Sequence, residues 1–150
     1  MIAGLCGGEV FVAEVEGTII VTVVWFGPGR MIYDSDEQLE KAWPICAEII
    51  PPKILLWWEA DFLPKYAEFS EEAFGTGVKL RSWHLQLLAV DPKYLRKLLW
   101  KGETLKLRAS ADYNVAIYEK LGFIVGGETR YTGVSGSFPM WGMFQRIDQV

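Results

Sequence analysis

The run Trp83–Pro92, WHLQLLAVDP, constrains this chain more than any other stretch. Leu85, Leu87, Leu88, Ala89 and Val90 are apolar at both odd and even positions. Successive strand side chains point to opposite faces, so the pattern predicts a strand buried on both, central in a sheet. Pro92 has no N–H to give a ladder and, with Asp91, ends the strand. The expected fold class is α/β (α+β), a mixed central β-sheet flanked by helices. A helix over Asp112–Leu121 is expected to face the end of this strand, with a cleft between the two.

The 150 residues suffice for one domain with a real core, and a hydrophobic content of 51% argues against long disorder. The net charge of −4 is spread without a basic block, which argues against nucleic-acid binding. Cys6 and Cys46 are far apart and His84 is the single histidine, so no metal site is expected and a reduced, intracellular chain is, cytoplasmic or nuclear. The start, MIAGLCGGEV, lacks the pattern of a signal peptide, and Thr18–Phe26 is too short to span a bilayer. No membrane partner is expected.

Glu9–Val15 and Thr18–Phe26 are β-rich and joined by Glu16-Gly17, which predicts a hairpin. Residues 30–80 form a long segment without strand character. Ser35 or Asp36 is placed to cap a short helix through Trp43, with Pro44 as its stop; a second helix is expected over about Ala60–Phe74. The aromatic residues Tyr33, Trp43, Trp57, Trp58, Phe62, Tyr66 and Phe69 either line an acceptor pocket or cover the sheet. Lys93–Lys101 is read as a short crossover helix and Glu103–Arg108 as the next strand. The helix from Ser110 or Asp112 is expected to end in a Schellman motif, with Gly122 at C′ and Phe123 touching Tyr118. Phe123–Tyr131 and Phe138–Arg146 then form a second hairpin through Thr132–Ser137.

The strand ending Leu88-Ala89-Val90-Asp91-Pro92, followed by Asn114-x-Ala116-x-Tyr118-Glu119-Lys120-Leu121-Gly122-Phe123, resembles the GNAT superfamily of N-acetyltransferases. With the early hairpin, the resemblance covers most of the chain outside residues 30–80; the long insert is similar to that of fungal members. It implies a GNAT-like fold over 1–150, shortened, and transfer of an acetyl group from acetyl-CoA to an amine by direct attack. In the family the central strand splays from its parallel neighbour, and its freed backbone groups bind the pantetheine arm and the thioester carbonyl. The resemblance gives that role to Leu88, Ala89 and Val90, an arm-binding role to Asn114, and the general acid to Tyr118. A phenol of ordinary pKa near 10 suits protonation of a thiolate of similar basicity.

Alternation along a strand puts His84, Gln86 and Leu88 on one face, which offers His84 as a general base acting through water. Its alternative is a structural histidine; Glu14 and Glu59 are weaker candidates. The chain departs from the family directly after Pro92: no glycine occurs before Gly102, where the family has a Gly-rich pyrophosphate loop. Arg96 and Lys97, with Lys93, are the basic remnant there, readable as phosphate-binding or as a solvated helix face. The implied partner is a small-molecule or peptide amine, with a homodimer possible through uncovered sheet edges. The second reading is an inactive relative that binds a ligand or partner through its aromatic insert; chance similarity of the helix motif in an unrelated sheet protein is a third.

Overall fold

The computed structural model describes residues 1–91, 93–94, 108–109 and 112–145. A short helix α1 (Ile2–Gly7) leads into β1 (Glu9–Val15) and β2 (Thr18–Phe26). Glu16 (φ 51°) and Gly17 (φ 77°) both take positive φ in the turn, which matches the twist of the flanking strands and bears out the hairpin. The helices α2 (Asp36–Ile49), α3 (Pro52–Trp57) and α4 (Leu63–Phe74) follow, with a π-helical turn over Trp58–Phe62 between the last two. The chain returns as β3 (His84–Val90), β4 (Arg108–Ala109), α5 (Asp112–Lys120), β5 (Ile124–Gly133) and β6 (Gly136–Phe144). The class is mixed helix and sheet.

The strands form two antiparallel three-stranded sheets, β1-β2-β3 and β4-β6-β5. This corrects the expectation of a central β3: β2 is the middle strand, and β3 is an edge among the described residues. The expectation of burial on both faces fails with it. His84 and Leu85 are buried, while Leu87 and Leu88 are 39% and 38% exposed. An apolar run fits a strand with something to cover it, and among the described residues nothing pairs with the outer edge of β3.

The two sheets meet in one core. Trp25 of β2 and Leu85 of β3 pack with Trp141 and Met143 of β6 and with Phe123; Val23, Val115, Tyr118 and Leu121 close over them. α5 therefore lies on the β2–β3 face that carries Val23, Trp25 and Leu85. On the opposite face, α1 approaches Val24 so closely that only glycine fits at Gly4. On β6 the alternation works likewise. Trp141 and Met143 face the shared core, whereas Gly142 faces α4, where an added Cβ would stand 3.0 Å from that of Ala73.

α2 runs through Pro44 instead of stopping there. A proline inside a helix costs about 3 kcal/mol. The helix is held on both sides of it: Gln38 and Ala42 are buried before it, and beyond it Cys46 Sγ meets the Tyr33 hydroxyl at 3.1 Å. Ser35 is the N-cap, its Oγ accepting from the Gln38 N–H at 3.4 Å. Gln38 also ties the preceding loop, donating to Asp34 Oδ1 (2.6 Å) and accepting from the Tyr33 N–H (2.7 Å).

The insert aromatics mostly cover the second sheet. Trp57, Phe62, Tyr131 and Phe138 form a contiguous ring cluster, and Trp57 Nε1 donates to the Thr132 carbonyl at 2.8 Å. Phe69 packs at Gly127 and Gly142. Tyr33 and Trp43 pair edge to face elsewhere. No helix among the described residues is long and apolar enough to cross a membrane.

Candidate functional site

The end of α5 forms as its sequence dictates. Gly122 takes φ 87°, the Phe123 N–H donates to the Tyr118 carbonyl and the Gly122 N–H to the Glu119 carbonyl, both at 3.0 Å. The rings of Phe123 and Tyr118 meet edge to face, 6.0 Å between centroids. This Schellman closure fixes Tyr118 against the core that contains Leu85. Asn114 is one turn earlier, about 5–6 Å from Tyr118 between Cβ atoms by helix geometry, and is half-buried.

β3 supplies backbone. The Asp91 N–H donates to the Ile20 carbonyl at 2.8 Å, at the end of the β2–β3 ladder. Antiparallel residues alternate, so Ala89 turns its N–H and C=O toward β2, whereas Leu88 and Val90 turn theirs to the outer edge. No described strand takes up those groups. The strand is open to water here, with Leu88 38% exposed, so these groups are free to exchange water for an acceptor. Asp91 ends the strand in a turn: its Oδ1 accepts from the Lys93 N–H and its carbonyl from the Tyr94 N–H, both at 2.8 Å. A shallow depression of about 300 Å³ lies at this end, lined by Ile19, Ile20, Val21, Thr22, Ala89, Val90 and Asp91. Its walls are largely apolar, with one carboxylate.

The register of β3 separates residues expected together. Trp25 pairs with Leu85 and Val24 with Leu87, which leaves Gln86 as a bulge. Beyond it the alternation is shifted by one. Leu88 pairs with Val23, on the face toward α5, and His84 pairs with Phe26, on the face toward α1. His84, Gln86 and Leu88 therefore do not share a face, and His84 is not grouped with Tyr118. The bulge is the physical reason.

His84 lies flat on Phe26, 5.6 Å between ring centroids, and is 9% exposed with neither ring nitrogen hydrogen-bonded. Burial, with the nearby positive charge of Lys79, depresses its pKa to about 4. The ring is neutral at pH 7 and a weak base. Glu14 and Glu59 are exposed. Arg96 and Lys97 lie outside the described residues, as do Pro92 and most of the expected crossover helix. Among the described residues no cluster of histidine, cysteine and carboxylate side chains is suited to a metal ion.

One group of side chains gave no signal in the sequence. Lys79, in the 75–83 connection, donates from Nζ to the Tyr66 hydroxyl at 3.2 Å and stands 4.4 Å from that ring's centroid. Only the tertiary fold brings it toward His84. No protein-family model matches the chain, and no curated protein matches it.

Proposed function

We propose that the chain is an acetyl-CoA-dependent N-acyltransferase of the GNAT type, acting on a small-molecule or peptide amine. The observation that carries this reading is the outward turn of Leu88 and Val90 at an edge of β3 that no described strand pairs, with Tyr118 of α5 packed on the core that Leu85 of the same strand joins. The arrangement of strands in two sheets agrees with a splay beside β3.

In this reading the free amine attacks the thioester carbonyl carbon. The N–H of Leu88 or Val90 stabilises the oxyanion that develops, a contribution that grows where water is excluded. The C–S bond then breaks, the Tyr118 phenol gives its proton to the departing thiolate, the new amide nitrogen loses its extra proton to solvent, and solvent re-protonates the phenolate. Asn114, one turn back, positions the amide-bearing arm of the cosubstrate. His84 has no part, and the acceptor's ammonium loses its proton to solvent before attack. The Asp91 carboxylate beside the depression suits a cationic acceptor.

Tyr118→Phe keeps the ring that packs on Phe123 and removes the hydroxyl. The expected result is a loss of about 100-fold in turnover with a working amine and little change in acetyl-CoA affinity. Unchanged turnover would remove Tyr118 from the mechanism.

The absence of glycine from Lys93 to Lys101 favours a second reading, a relative that keeps the sheet without the activity. Titration calorimetry separates the two: micromolar binding of acetyl-CoA supports the enzyme, and no heat from folded protein supports the binding module.

A further inference from the structure

The depression of about 300 Å³ at the shared end of β2 and β3 carries one charge on otherwise largely apolar walls. Ile20 and Val21 are buried there, whereas Ile19 leaves 56% of its surface to solvent and gains by being covered. Asp91 is the one charged residue among the described residues that line it. Its backbone is fixed on both sides, the N–H by the Ile20 carbonyl and the carbonyl by the Tyr94 N–H, both at 2.8 Å. Its Oδ1 accepts from the Lys93 N–H at 2.8 Å. Neither ion pair among the described residues involves Asp91, so Oδ2 keeps its capacity to accept. Lys93 thus meets this carboxylate through its N–H and not as a counter-ion. Glu14, opposite Ile19 across the β1–β2 ladder, adds a second negative charge nearby.

We propose that this depression binds small apolar monoamines: one ammonium head on the free Asp91 oxygen, and a short alkyl chain or single ring on Ile19, Val21 and Val90. The volume is at the low end for small-molecule pockets, which limits the ligand to that size. A second ammonium would lie on apolar surface and lose its hydration without a partner. A carboxylate on the ligand would meet negative charge and no described cation lining the depression. The acceptor role rests on the transferase reading, in which the site defines the acceptor as an apolar primary amine; the binding itself does not. In that reading the head is well placed. Asp91 directly follows Val90, so it is held about 3.8 Å, between Cα atoms, from the residue whose N–H receives the thioester oxygen.

The test titrates the full chain, without nucleotide, with hexylamine, hexanol and hexamethylenediamine at pH 7 and follows the backbone amides by proton–nitrogen correlation NMR. Hexylamine is expected to shift the Ile20, Val21, Ala89 and Val90 amides to saturation. It should bind about five-fold more tightly than hexanol, which has the same chain without the charge. Hexamethylenediamine, with a second charge at the apolar end, should bind more weakly than hexylamine. Asp91→Asn keeps the Oδ1 that accepts from the Lys93 N–H and removes the charge. In that variant hexylamine should fall to the affinity of hexanol, while hexanol binds as before. Equal affinities of hexylamine and hexanol in the parent, tighter binding of the diamine, or shifts confined to other residues would overturn the proposal. The parent comparison decides the matter even if Asp91→Asn does not fold. Hexylamine bound by a chain that takes no acetyl-CoA would leave the site standing and remove the transferase reading; acetyl-CoA bound without hexylamine would do the reverse.

Discussion

Met143→Ala is expected to destabilise the protein by about 3–4 kcal/mol and to lower its Tm by roughly 10 °C. Met143 is fully buried and sits where the two sheets touch, against Trp25 and Leu85 from one and Trp141 from the other. Truncation removes the transfer free energy of its side chain and leaves a cavity between sheets that no described strand pairing joins. The surrounding rings are large and cannot collapse into the space without shifting β3 relative to α5. Phe11→Ala, on the outer strand and 54% exposed, is the control and should cost well under half as much. Chemical denaturation of both variants measures the difference. A loss under about 1 kcal/mol for Met143→Ala would mean the two sheets are not held together at that point.

The second large effect is in pH. Burial and the nearby Lys79 charge push the His84 pKa down from the ordinary 6.5 to about 4 in the folded protein. The unfolded chain therefore binds a proton between these values that the folded chain does not, and stability falls as pH drops through that window. At about 1.4 kcal/mol per pH unit the loss comes to about 3 kcal/mol, complete once pH is below 4. Other groups also titrate in acid, so the comparison is with His84→Leu. That variant buries no unpaired ring nitrogen and should be neutral or slightly stabilising at pH 7. Relative to the parent, it should gain about 3 kcal/mol between pH 6.5 and 4. Stability curves that stay parallel over that range would show that the imidazole is solvated.

Local chemistry was legible in the sequence where it acts within a few residues. Glu16-Gly17 specified a positive-φ turn and Gly122-Phe123 a Schellman closure, and both form; of the two cap candidates, Ser35 and Asp36, it is Ser35 that caps α2. What was not legible depends on partners distant in sequence. No residue signature marks Gln86 as a bulge, yet that one residue moves His84 to the face opposite Leu88. Pro44 reads as a stop until the hold of Tyr33 on Cys46 is known. The apolar run of β3 was visible, but not that its last residues would lie at an edge. Within the candidate site, Tyr118 packs on the core that Leu85 of β3 joins, His84 lies on the opposite face of the strand, and Arg96 and Lys97 lie outside the described residues. Lys79 looks like any loop lysine until Tyr66 and His84 fold around it.

Amide hydrogen exchange along β3, with and without saturating acetyl-CoA, tests the centre of this account. The Ala89 N–H is turned into the β2 ladder and should exchange slowly in both states. The Leu88 and Val90 amides should exchange quickly in the free protein and slow by at least about ten-fold when acetyl-CoA is bound, because its carbonyls become their acceptors. Leu88 and Val90 exchanging at the same rate in both states would contradict an acyl-transfer site at this edge.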